Sequence, residues 1–101
     1  MLESKYQASL IDKLYRIFGK DKLTIQKNDE QYRQGFPDLT LYYGNRYACL
    51  EVKASATAKH RPNQDYYVDL INARGGFASF VYPENEKEVL RDIQRYFGGL
   101  L

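Results

Sequence analysis

The stretch from Leu39 to Ala54 constrains the fold more than any other part of this 101-residue chain. It reads Leu-Thr-Leu-Tyr-Tyr, then Gly44-Asn45, then Arg-Tyr-Ala-Cys-Leu-Glu-Val-Lys-Ala. Two strand-like runs separated by two turn-forming residues are the signature of a tight β-hairpin. With Gly44 and Asn45 as the turn, Tyr43 faces Arg46, Leu41 faces Ala48, Leu39 faces Leu50 and Asp38 faces Glu51. Side chains alternate along a strand, so Leu39, Leu41, Ala48, Leu50 and Val52 share an apolar face, the natural core face. Asp38, Glu51 and Lys53 share the other, together with Cys49, which reads as a small buried residue.

The rest of the chain supplies elements that can cover such a hairpin. Tyr6, Leu10, Leu14, Ile17 and Phe18 recur at three- and four-residue steps, predicting an amphipathic helix from about Ser4 to Phe18 that Gly19 ends. Leu23–Lys27 alternates as a short strand, and 28–37 is a polar loop punctuated by Gly35 and Pro37. A second helix is expected after Pro62, with Asn63 as N-cap, apolar steps at Tyr67, Leu70 and Ile71, and Gly75-Gly76 beyond its end. Phe77–Tyr82 is a nearly all-apolar run, as in a buried strand. Asn85 with Glu88 predicts a capping box for a last helix carrying Val89, Leu90, Ile93, Tyr96 and Phe97 and closed by Gly98-Gly99. The fold class is therefore α/β, one domain over residues 1–101 with a mixed sheet and a C-terminal helix.

Composition excludes several classes. Hydrophobic residues make up 44% of the chain and charged residues 28%, which is globular rather than disordered composition. No apolar run approaches the ~20 residues of a membrane helix, and no signal-peptide core leads the chain, so no membrane association is expected. A single cysteine and a single histidine allow neither an internal disulfide nor a Cys/His zinc site within one chain. A cytoplasmic location is the expectation. The net charge is only +2, low for a non-specific nucleic-acid binder. The charge is uneven, however: from Lys53 to Gln64 the chain carries Lys53, Lys59, His60 and Arg61 and no acid. Such a basic loop can meet phosphates or can simply be a solvated surface, with His60 read as a solvated loop residue.

Two carboxylates opposed across a hairpin need a physical reason, because like charges there are destabilising. Three readings compete. Lys53 could neutralise both acids in a surface salt bridge, an interaction worth only about 0–1 kcal/mol. The register could differ and scatter the three residues. Or the pair could hold a divalent cation through hard oxygen ligands, with the lysine beside it. Glu3 continues the apolar stripe of the first helix backward, and Gln64 stands on the stripe of the second. Taken singly, each has an ordinary explanation, a helix-dipole partner and a helix-start residue respectively.

Arg33-x-Gly35-x-Pro37-Asp38, Glu51-x-Lys53 and Gln64, in that order and on these elements, resemble the VRR-NUC branch of the PD-(D/E)XK nuclease superfamily, which includes the archaeal-type Holliday junction resolvases. The resemblance covers nearly the whole chain and implies a restriction-endonuclease-like αβββαβ core. It implies that Asp38, Glu51 and the main-chain carbonyl of Val52 bind metal, with Glu3 completing the metal or water network. Lys53 would position or help activate the attacking water, and Gln64 would hold Lys53 or a bound water. Arg33, Lys59 and Arg61 are the expected nucleic-acid contacts, and Gly35 permits the turn. The implied cofactor is Mg²⁺, with Mn²⁺ as substitute, and no small-molecule cofactor. The implied partner is DNA, especially branched or structured DNA such as Holliday junctions. A homodimer is expected, since cutting two strands calls for two sites. Small stand-alone versions of such domains also suggest a phage origin. The alternatives are a non-cleaving nucleic-acid-binding module on the same fold and a structural protein whose polar cluster is a salt bridge. Tyr66 and Tyr67 are read chiefly as packing residues.

Overall fold

The computed structural model describes residues 2–29 and 31–98. Its elements are α1 (Glu3–Phe18), β1 (Leu23–Lys27), β2 (Leu39–Tyr43), β3 (Arg46–Val52), α2 (Gln64–Ala73), β4 (Phe77–Val81) and α3 (Glu86–Tyr96). The order is αβββαβ followed by a helix, as expected. The four strands form one sheet in the order β1-β2-β3-β4, antiparallel except for the parallel β3–β4 pair. The sheet is therefore mixed, and α2 is the crossover that a parallel pair requires.

The hairpin register is the one the turn predicts: Leu39 pairs with Leu50, Leu41 with Ala48 and Tyr43 with Arg46. Gly44 takes a positive φ of 60°, as a two-residue hairpin turn with glycine first demands. Leu39, Leu41, Ala48, Leu50 and Val52 are all fully buried, on a face closed by Leu10 and Leu14 of α1 and Val89 and Ile93 of α3. Each such aliphatic side chain contributes about 1.5–3 kcal/mol on leaving water. Where α1 meets α3, the Glu86 carboxylate accepts from the Tyr6 hydroxyl at 2.9 Å and pairs with Lys13. Burial and that carboxylate keep the Tyr6 phenol neutral.

The opposite face is covered only in part. Val68 and Ile71 of α2 pack on Cys49 and Ala78, with Phe36 and Phe80 at the margins. Cys49 is buried as expected, and burial raises its thiol pKa, which removes it as a nucleophile. Among the described residues no helix is long and apolar enough to cross a membrane.

Several local expectations need correction. Asn63 does precede α2, but at φ 71° and without a side-chain capping bond. Asn85 likewise makes no cap. Its side chain instead accepts from the Tyr82 N–H and donates to the Phe80 carbonyl, fixing the end of β4. Gly98 follows α3 at φ 99°, and Gly99 lies outside the described residues.

Candidate active site

Asp38 and Glu51 meet where the hairpin pairing runs out. Asp38 stands just before β2, and its Oδ2 accepts the Val52 N–H at 2.9 Å. This bond fixes the aspartate against the end of β3 and holds the Val52 peptide beside both carboxylates. Glu51 is 2% exposed and Lys53 is 4% exposed. Buried charges are rare unless paired or ligating. The surface salt-bridge reading therefore fails on burial, and also on geometry: among the described residues no ion pair within 4.0 Å joins Lys53 to either acid. The reading with a shifted register fails on the observed pairing.

Lys53 is held by the main chain. Its N–H donates to the Val81 carbonyl at 2.9 Å, extending the parallel pairing past β3. Its ammonium donates to the Lys59 carbonyl at 3.2 Å. Lys59 thus contributes a carbonyl to the site, while its side chain lies exposed in the basic loop.

Gln64 is oriented by the same loop. Its Oε1 accepts the Arg61 N–H at 2.8 Å, an atom that can only donate. The amide NH₂ must therefore face the other way, and it donates to Glu51 Oε2 at 3.1 Å. Gln64 accordingly holds Glu51 rather than Lys53. Gly35 makes this placement possible: at φ 87°, a Cβ there would lie 2.6 Å from Asn63 Cβ and 2.7 Å from the Pro62 carbonyl oxygen. The segment ahead of Asp38 thus packs directly on the entry to α2, and glycine is needed for contact as well as for the turn.

The consequence of this packing is a carboxylate with one satisfied oxygen. With Glu51 ionised, its buried Oε1 accepts no hydrogen bond. Burial first, then the Asp38 charge and hydrogen bonding to Asp38, push the Glu51 pKa up to about 9; Lys53 opposes the shift and Glu3 adds to it. Without a cation, Glu51 is therefore protonated at neutral pH. A partnerless oxygen next to a second carboxylate suits a hard divalent cation, which takes oxygen ligands and inverts this pKa logic.

Glu3 behaves differently from its sequence reading. It is exposed at the start of α1, and the buried stripe begins at Tyr6. Its charge reaches Glu51, but among the described residues no three His, Cys, Asp or Glu side chains are grouped to hold a metal. The side-chain oxygens at the site are thus those of Asp38 and Glu51, with the Val52 N–H bonded to the first. Arg33 is exposed in the loop before Asp38, and Arg61 is exposed ahead of Gln64. His60 is more constrained than a solvated residue: it pairs with Asp65 at 3.0 Å and stacks on Phe80 with ring centroids 4.0 Å apart. Tyr67 packs edge-on against Phe36, leaving Tyr66 exposed.

Two contributors have no sequence signal. The Lys59 carbonyl is main chain and invisible to any motif. Asn28 lies in the polar loop, where its side chain donates to the Pro37 carbonyl and to Thr40 Oγ1, both at 2.9 Å. Its N–H donates to the Asp38 carbonyl at 2.8 Å. It therefore buttresses the backbone around Asp38. Comparison of the chain with protein-family models, with curated proteins and with solved structures finds no significant match.

Proposed function

We propose that this chain is a divalent-metal-dependent nuclease that hydrolyses DNA phosphodiester bonds, acting on branched or structured DNA. The observation that carries the reading is the buried, partnerless Glu51 Oε1 beside Asp38, with Lys53 buried next to them. These are the residues for which the VRR-NUC resemblance implies catalysis. A bound Mg²⁺ or Mn²⁺ would polarise the phosphoryl group and lower the pKa of water.

The chain's own residues then have distinct tasks. Asp38 and Glu51 would hold the cation through anionic oxygens, which requires Glu51 in its carboxylate form. Gln64, locked by the Arg61 N–H, keeps one Glu51 oxygen occupied and so aims the other. Lys53 brings positive charge to a dry site, where a phosphodiester gains negative charge in the transition state. Its ammonium donates to the Lys59 carbonyl and retains donors for a phosphate oxygen or a water. Lys59 and Arg61, on the exposed loop, would meet flanking phosphates.

The test is cleavage of a labelled panel (four-way junction, flap, duplex and single strand) in Mg²⁺, Mn²⁺ or EDTA. Metal-dependent cutting is expected, falling by at least about a hundredfold in Glu51→Ala and in Lys53→Ala. Binding of the panel without any cutting would favour a non-cleaving nucleic-acid-binding module instead. If junctions are cut symmetrically, two chains must act together, and the homodimer becomes the working form.

A further inference from the structure

Because α2 packs over β3 and β4, the outer half of that sheet face is left open. There Tyr42 and Tyr47 are directly paired across the hairpin, and they are 44% and 41% exposed. Exposed aromatics on an open sheet face require an explanation, since burying them would stabilise the fold. Two adjoining grooves, of about 320 and 410 Å³, run from this pair past Gln26, Asn28 and Phe36 to Tyr32 and Arg33. The floor is a chain of polar side chains. Tyr42 donates to Gln26 Oε1 at 3.2 Å, Gln26 to Asn28 Oδ1 at 3.3 Å, and Asn28 to the Pro37 carbonyl at 2.9 Å. The floor thereby joins the main chain just before Asp38, which itself lines neither groove.

At that end Tyr32 is 89% exposed, and Lys27 and Arg33 have no ion-pair partner among the described residues. Asp29 also lines the groove, with its carboxylate accepting the Gln31 N–H. We propose that this groove holds an unpaired stretch of nucleic acid, with bases stacked on Tyr42 and Tyr47 and phosphates met by Lys27 and Arg33. Aromatic platforms with flanking cations and amide donors are what a single strand recognises, because every base has a π-face and every linkage a charge. The path toward Asp38 rests on the nuclease reading; the strand-binding groove itself does not. A substrate with unpaired nucleotides next to the scissile linkage, such as a flap or splayed junction arm, is the class it selects.

The experiment is fluorescence anisotropy in EDTA with a labelled oligothymidine of about twelve nucleotides and, separately, a blunt duplex. The Tyr42→Ala/Tyr47→Ala protein should bind the oligothymidine about ten- to a hundredfold more weakly, with duplex affinity unchanged. The Tyr42→Phe/Tyr47→Phe protein should retain binding, because stacking needs only the ring. Lys27→Ala/Arg33→Ala should weaken binding and flatten its salt dependence. Oligothymidine affinity equal to wild type in the alanine pair, or an equal loss toward duplex, would overturn the proposal. So would a wild-type dimer that these substitutions dissociate with no change in oligothymidine affinity, since the face would then belong to a second copy. The two readings fail separately. Tyrosine-dependent strand binding by a protein that cuts nothing keeps the groove and removes the nuclease. Cutting by a protein indifferent to the tyrosines does the reverse.

Discussion

The two faces of the central sheet are built from the same strands and serve opposite ends. On one, Leu39, Leu41, Ala48, Leu50 and Val52 are sealed under α1 and α3 with no polar side chain among them. On the other, the same strands carry Thr40, Cys49, Glu51 and, just beyond β3, Lys53, closed only in part by α2 and ending in exposed tyrosines. The first face carries stability. The second gives some of it up: burying Glu51 with an unsatisfied oxygen costs free energy that an apolar residue would not. Alternation along a strand allows both within one hairpin, because a site residue and a core residue are neighbours in sequence and lie on opposite faces.

That contrast can be broken most forcefully on the sealed face. Leu41→Ala should lose about 2–5 kcal/mol in denaturant unfolding, through lost burial plus the cavity left behind. A loss below 1 kcal/mol, on the order of an exposed site, would mean the face is not packed as described. Gly35→Ala comes next, at about 1–3 kcal/mol, because a methyl there meets Asn63 and Pro62 at a positive φ. The same variant should displace the entry to α2 and so loosen the Gln64–Glu51 bond. Unfolding at wild-type denaturant concentration would remove the claimed contact.

The next contrast is a slope, smaller per pH unit, and separates the faces by pH. The folded Glu51 pKa lies above its unfolded value, so the folded state holds an extra proton between about 4.5 and about 9. Metal-free protein should therefore lose stability as pH rises through that window, by no more than about 1.4 kcal/mol per pH unit from this group. Glu51→Gln should flatten the slope, and thermal melts across the window measure both. A wild-type slope matched by the variant would place the pH dependence elsewhere. The smallest effect is expected on the open half of the second face, where Tyr42→Ala should change stability by only about 0.5 kcal/mol or less.

How much was legible in the sequence follows the same division. The hairpin, its register and the sealed face follow from alternation about Gly44-Asn45, because a slip of one residue would expose every leucine. The meeting of Asp38 and Glu51 follows from that register as well. What Gln64 touches does not, since its orientation depends on the Arg61 N–H, a main-chain donor delivered by a loop. The Lys59 carbonyl holding Lys53 is hidden for the same reason. Glu3 keeps the helical phase of the stripe yet is exposed, because it precedes the turn at which α1 enters the core, while its charge still reaches Glu51. Asn63 and Asn85 have the right residue type for capping, yet the first is turned to φ 71° and the second is committed to Tyr82 and Phe80.

The central claim is that the partnerless Glu51 oxygen and Asp38 hold a divalent cation, and the direct measurement is a calorimetric titration of Mn²⁺ at pH 7. Wild type, Asp38→Ala and Glu51→Gln would be compared in two buffers of different ionisation enthalpy. The expected result is one site per wild-type chain with release of about one proton as the cation displaces it from Glu51, and no such site in either variant. Absence of binding by the folded wild type, or equal binding by all three proteins, would contradict it.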